Sequence, residues 1–303
     1  MFEFRYEPNP SRIMRHQAWQ TNGQALARTK ALNTKTGKNP VYALATALQL
    51  LGRQVPQSFA LPSTVLHTVF PTPRDVRRTG DAMRHTWRPL SVPGSVITID
   101  GVRCTSPAAT FAQLGAYCSL DDLVAIGDSL TCRDATLRRA EVEQLQRFVD
   151  HAGRFFGRDN VSRALRLIRA RTDSPAETRM RLMAMQYGLP CPQTDVVIAK
   201  EPFEIRLDAG WPEYRIGLEY QGKHHREQYE HDLIRGNAIL GTGWVAFQFT
   251  HGMLTDPTLV YLMFEAIAVA LHKAGAPIEH ARSEPLSLKE VSDRPAGRPP
   301  RGT

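Results

Sequence analysis

"RLDAGWPEYRIGLEYQGKHH", residues 206–225, sets carboxylates into strand-like alternation and follows them with two histidines. Side chains along a strand alternate between its faces. In "FEIRLDAGW" (203–211), Phe203, Ile205, Leu207, Ala209 and Trp211 share one face, and Glu204, Arg206, Asp208 and Gly210 the other. In "YRIGLEYQ" (214–221), the apolar face is Tyr214, Ile216, Leu218 and Tyr220, and the polar face is Arg215, Gly217, Glu219 and Gln221. A two-residue turn at Pro212-Glu213 pairs Trp211 with Tyr214. Asp208 then opposes Gly217, and Glu219 lies diagonally across on the same face, within side-chain reach. Gly217 leaves an open floor between the two acids.

Two converging carboxylates repel each other unless a cation lies between them. Hard oxygen ligands suit Mg²⁺ (or Mn²⁺), which keeps waters and takes one or two protein carboxylates plus a phosphate oxygen. Such an ion polarises a phosphodiester and activates water. The alternative is a solvated sheet face whose charges pair with Arg206 and Arg215.

Working outward, residues from 174 onward read as helix, strand, strand, strand, helix, strand, helix. "SPAETRMRLMAMQYG" is a helix with Ser174 as N-cap, Pro175 at its first position and Gly188 as C-cap. Its stripe of Glu177, Met180, Ala184 and Tyr187 faces the sheet. Glu177 can complete a capping box with Ser174 and can also head that stripe toward a metal site. "QTDVVIA" (193–199) is a strand, "REQYEHDLIRGNAIL" (226–240) a helix and "WVAFQFT" (244–250) the last strand. Asp232 and Arg235, three apart, read as a helix-surface ion pair.

The rest of the chain bounds the function. Over 303 residues it is 42% hydrophobic and 22% charged, as soluble globular proteins are. Residues 1–173 hold 24 Lys+Arg against 14 Asp+Glu, a net of +10, whereas 174–273 hold 9 against 12, a net of −3. A polyanion is therefore drawn to the first half, while the second concentrates carboxylates. Cys104, Cys118, Cys132 and Cys191 form no CxxC pair, so reduced thiols in a cytoplasm are expected. "MFEFRYEPNPSRIMRHQ" lacks the apolar core of a signal peptide. "TLVYLMFEAIAVALHK" (258–273) carries Glu265 and is too short to span a membrane.

Upstream, residues 1–39 are basic with weak periodicity, and "VYALATALQLLG" is helical. "STVLHTVF", "MRHTWRPL" and "SVITIDGVRCTS" are strand-like, and Ser106 and Ser119 stand as N-caps of two helices. "DNVSRALRLIRART" (159–172) is a basic helix. The Pro-rich, charged end, "RSEPLSLKEVSDRPAGRPPRGT", is expected to be disordered.

In order and spacing, "SPAETRMRL", "RLD", "LEYQGKHH", "HDLIR" and "GW" resemble the very-short-patch-repair (Vsr)-like endonuclease domain of the PD-(D/E)XK superfamily, over roughly residues 174–250. The resemblance makes Asp208 the metal-binding aspartate, puts Glu219 and Gln221 at the (D/E)XK positions, and makes Glu177 the helix glutamate. His225 matches the histidine of the motif, and His224 precedes it. Gln221 departs from the usual lysine, and it can hydrogen-bond a water but supplies no charge. No zinc-binding cysteine cluster is present, so mismatch specificity is not implied. More faintly, "TVFPTPRDVRRTGDAMRHTW" through "AIGDSLT" is similar to the region after the winged helix in AbiEi-family antitoxin-like proteins. The winged helix itself is not recognisable; residues 1–39 stand in its place.

The fold expected is α/β with a mixed sheet: a restriction-endonuclease-like domain at 174–273, preceded by a smaller α+β domain at 40–173, with a basic segment at 1–39 and a disordered tail at 274–303. The function expected is metal-dependent hydrolysis of phosphodiester bonds in DNA, duplex favoured, with Asp208 and Glu219 as metal ligands and Glu177, Gln221 and His225 as further catalytic residues. A non-catalytic DNA-binding regulator of antitoxin type and an RNA-directed nuclease stand as rivals. No membrane partner is implied.

Overall fold

The computed structural model describes residues 10–76, 81–200, 204–221 and 229–294. The chain divides into two compact units, Met1–Asp173 and Ser174–Thr303, so the first unit is the longer, not the smaller.

The first unit opens with α1 (Pro10–Thr36), where weak periodicity had pointed to no element. Its buried stripe is Ala18, Ala25, Thr29 and Leu32. Alanine and threonine carry little hydropathy, so the helical spacing is hidden from a hydrophobic pattern. Ala25 and Leu32 pack in a core with Tyr42, Ala47 and Leu50, the last two on α2 (Leu44–Leu50). β1 (His67–Phe70) pairs in parallel with β2 (Met83–Thr86). "SVITIDGVRCTS" folds as a hairpin, β3 (Val96–Ile99) against β4 (Val102–Thr105). Asp100 and Gly101 supply the two positive φ angles, 45° and 82°, that a tight hairpin turn of matching twist needs. Four helices complete the unit: α3 (Pro107–Leu114), α4 (Leu120–Leu130), α5 (Val142–His151) and α6 (Arg158–Leu167). Ser106 caps α3 through Ala109 N–H, whereas Ser119 at the head of α4 bonds Ser58 instead.

The second unit begins with α7 (Pro175–Gln186), capped by Ser174 and started by Pro175. Gly188, at φ 88°, ends it: Gly188 N–H donates to Met185 O and Leu189 N–H to Ala184 O, the two bonds of a Schellman motif. The sheet holds β5 (Gln193–Ala199), β6 (Ile205–Trp211), β7 (Ile216–Tyr220) and β8 (Val245–Phe249) in that spatial order. The first three are antiparallel, and β7 and β8 are parallel across the crossover helix α8 (Tyr229–Gly241). On one face, Ala209, Trp211, Ile216, Leu218 and Phe249 pack with Met180 and Ala184 of α7 and Phe264 and Ile267 of α9 (Pro257–Lys273). On the other, Val196, Ile205 and Leu207 pack with Ile239 and Trp244.

Residues 274–294, expected within a disordered tail, form an ordered strap. Ala276, Ala281, Leu286 and Val291 are buried, and a capping box at Ser287 starts α10 (Leu288–Asp293). Leu286 N–H donates to Gln186 O and Gln186 Nε2 to Leu286 O, tying the strap to α7. Its polar side chains hide four apolar anchors from a compositional reading. Glu265 on α9 latches it further, with Oε1 2.6 Å from His280 Nδ1 and Oε2 accepting Ala281 N–H at 2.8 Å. The His280 bond holds the Glu265 carboxyl below its ordinary 4.5, so that contribution is lost as pH falls through the lowered value. The same bond raises His280 above 6.5, so its contribution is full below 6.5 and lost as pH rises through the raised value. Amide exchange at Ala281 is therefore expected to be slowest near pH 5.5, relative to intrinsic rates, and faster at pH 8. His280→Gln should flatten that difference; equal protection at both pH values in wild type would dismiss the latch.

Candidate functional site

The connection from β6 to β7 is longer than a two-residue turn. Pro212–Tyr214 form one turn of 3-10 helix and Arg215 adopts φ 53°, so Trp211 pairs with Ile216 rather than Tyr214. Two added residues leave every side chain on its original face but slide the register. Gly210 now pairs with Gly217, and the last pair is Ala209 with Leu218. Asp208 and Glu219 are thus the first residues beyond that pair on their two strands. Past it, Tyr220 N–H donates to Asp208 Oδ2 at 2.7 Å, a side chain taking what a strand carbonyl would otherwise accept.

The expected open floor over Gly217 is filled. A Cβ on Gly217 would lie 2.1 Å from Leu207 Cδ1. Gly217 alternates with Ile216 and Leu218, so Leu207 lies on the face opposite Ala209 and Trp211, contrary to strict alternation along 203–211. The change of face falls at Asp208. Across the sheet, Asp195 sits between the pairs Thr194–Ala209 and Val196–Leu207 and adopts φ 58°, a conformation that interrupts a regular pleat. Asp208 therefore stands where the sheet is locally irregular, with an acid on each neighbouring strand.

Each flanking acid has its own arginine. The Asp195 side chain is 3% exposed and accepts from Arg206 Nη1 at 2.5 Å, while Arg206 Nη2 reaches Glu204 at 2.6 Å. Burial opposes the charge on Arg206, but the bonds to Glu204 and Asp195 outweigh it and its pKa is raised. Glu219, 8% exposed, accepts through Oε1 from Arg235 Nε at 2.8 Å and lies 2.7 Å from Arg235 Nη2. Arg235 Nη2 also donates to the Arg206 carbonyl at 2.5 Å, so this α8 side chain joins β6 to β7. Glu219 Oε2 is buried with no hydrogen-bond partner among the described residues.

The remaining expectations fall as follows. Glu177 lies in the first turn of α7, half-buried, and its N–H is accepted by Ser174 Oγ at 3.2 Å. Met180, Ala184 and Tyr187 of its stripe are buried against the sheet. Gln221 follows β7 and donates its N–H to Phe249 O at 2.7 Å. His225 and His224 lie outside the described residues, as does the Asp232 side chain. Arg235 is bonded to Glu219; its reading as a partner for Asp232 falls on a side chain outside the described residues. Arg206 serves Asp195 and Glu204. Sequence reasoning passed over Asp195 and Arg181, the latter a wholly buried guanidinium on α7, and left Arg235 on the helix surface. The signal for Arg181 was present: it lies one turn past Glu177, next to the apolar stripe.

The residues fit a Mg²⁺ or Mn²⁺ ion in one respect: Glu219 Oε2 is a buried acceptor with no hydrogen-bond partner among the described residues, on the strand position just past the last β6–β7 pair, as Asp208 is on its own strand. Two carboxylates are enough for an ion that keeps its waters and meets a phosphate. Among the described residues, no three His, Cys, Asp or Glu gather as one metal-ligating group. Among the same residues, all four cysteines are unpaired, and no helix is long and apolar enough to cross a membrane.

No family model matches the chain, and no solved structure matches it. Two uncharacterized proteins from two strains of Mycobacterium tuberculosis are each 27% identical to it over 204 residues, which is 65% of this chain and 68% of each relative.

Proposed function

We propose that the second unit is a Vsr-like, restriction-endonuclease-like nuclease domain that hydrolyses phosphodiester bonds in DNA with Mg²⁺ or Mn²⁺. The observation that carries this reading is the buried Glu219 Oε2, without a hydrogen-bond partner among the described residues, where the β6–β7 pairing ends and Asp208 follows on the other strand. A buried carboxylate oxygen without a donor is costly, and a bound cation would remove that cost. The order of α7, three antiparallel strands, α8 and a parallel fourth strand supports the fold assignment.

In this reading Asp208 and Glu219 hold the ion. When bound, it supplies Lewis-acid activation of the phosphodiester and of the attacking water. Gln221, at the lysine position of the resemblance, orients that water by hydrogen bonding. Glu177 acts from the helix end, and His225 contacts the scissile phosphate or protonates the leaving oxygen. The first unit, with its excess of ten positive charges, supplies affinity for the duplex backbone.

One observation favours a second reading, a non-catalytic DNA-binding regulator of antitoxin type. Arg235 already neutralises Glu219, and Gln221 carries no charge. Cleavage of supercoiled plasmid and single-stranded DNA with Mg²⁺ or Mn²⁺ separates the two. Metal-dependent nicking is expected from wild type, with Asp208→Ala slower by about a thousand-fold, the loss of several kcal/mol of transition-state stabilisation. DNA binding without cleavage, unaltered in Asp208→Ala, would favour the regulator.

A further inference from the structure

Arg235 contacts Glu219 in an uneven way. A guanidinium fork can engage both oxygens of a carboxylate in parallel, its commonest strong geometry. Here Nε and Nη2 converge on Oε1, at 2.8 and 2.7 Å, and Nη2 gives its other bond to the Arg206 carbonyl. Oε2 is left buried and without a hydrogen-bond partner among the described residues. The arginine thus bonds one oxygen and the β6 backbone, and no described residue donates to the other oxygen.

Resting on the nuclease reading, we infer that Arg235 is a positioning residue that reserves Glu219 Oε2 for the divalent cation and weakens cation binding until a DNA phosphate is present. The first role follows from its fixed contacts with β6 and β7, which hold the Glu219 side chain in one arrangement. The second follows from its charge. A full positive charge bonded to one oxygen of a ligand carboxylate repels a dication on the other oxygen, strongly in a site shielded from water. A phosphate brought by DNA offsets that repulsion. The site would therefore load efficiently only with substrate in place, which guards against a permanently charged nuclease centre.

The test uses the full chain, with Mn²⁺ as the probe, and measures Mn²⁺ binding by electron paramagnetic resonance with and without duplex DNA, alongside plasmid cleavage. Arg235→Gln should bind Mn²⁺ without DNA about tenfold more tightly than wild type, as loss of a repelling charge requires, while its kcat falls. Arg235→Lys keeps the charge and loses the fork, so its Mn²⁺ affinity should match wild type while kcat lies between the other two. Opposite movement of affinity and kcat is not produced by a general structural defect. Unchanged or weaker Mn²⁺ binding by Arg235→Gln overturns the inference. If Arg235→Gln does not fold, an Arg235→Lys variant with altered Mn²⁺ affinity or undiminished kcat overturns it as well. Wild type that takes up no Mn²⁺ even with DNA would instead remove the nuclease reading itself.

Discussion

Arg235→Ala is expected to cost the second unit about 3 kcal/mol of stability, although most of the arginine side chain lies between two secondary-structure elements and not in an apolar core. Removing one member of a buried ion pair leaves the other charged and uncompensated, at a cost of about 3–5 kcal/mol. The low end applies because the two side chains keep 17% and 10% exposure. The carbonyl of Arg206 also loses a donor. Replacing both partners with apolar residues of similar volume, Glu219→Leu with Arg235→Met, should cost far less, about 1 kcal/mol, since no charge is stranded. Urea unfolding of the two single variants and the double gives the coupling directly. Additive losses would mean that the pair does not matter to the fold.

The other large effect lies in the first unit. Gly157 caps α6 at φ 86°, and a Cβ there would meet backbone alone: Ala116 N at 2.4 Å, Gly115 C at 2.5 Å and Ala116 Cα at 2.7 Å. Backbone cannot swing aside as a long side chain can. Gly157→Ala adds left-handed strain of about 1–2 kcal/mol to overpacking of about 1–3 kcal/mol, for a total near 3 kcal/mol. In a unit of this size that lowers Tm by about 10 °C. Gly153 is the matched control, since it has φ 65° with nothing within 4 Å of an added Cβ. Gly153→Ala should show the backbone strain alone. Equal Tm losses in the two variants would rule out the close approach as the cause.

Much of the second unit was legible because its signals are local. Ser174, Pro175 and Gly188 mark both ends of α7 through their own backbone chemistry, and the alternation of Ile216, Gly217, Leu218 and Glu219 survives in the sheet. What failed was the relation between strands. Whether Pro212-Glu213 or four residues make the turn depends on Arg215 accepting a positive φ, which nothing in its side chain advertises. The switch of Leu207 to the other face falls beside Asp195, a non-glycine residue in the same unusual conformation. At the site, the carboxylates could be named from their pattern, but the cation that balances Glu219 could not. Arg235 is sixteen residues away in sequence and reaches Glu219 only through the sheet's topology. In the first unit "SVITIDGVRCTS" read as one strand-like piece although Asp100-Gly101 folds it into a hairpin, and α1 was not legible, because alanines and a threonine make up most of its buried stripe.

The crossover that carries Arg235 also sets an order of events in time. β7 and β8 are neighbours in space, yet 24 residues separate Tyr220 from Val245. Closing a loop of that length costs about 3 kcal/mol of chain entropy before any contact repays it. The antiparallel hairpin of β6 and β7 meets no such barrier, so during folding Glu219 can exist on a formed strand with its carboxylate still hydrated. Its burial and its neutralisation then arrive together, when α8 docks and β8 joins the edge. On this order the acid leaves water only as Arg235 arrives to pair its Oε1.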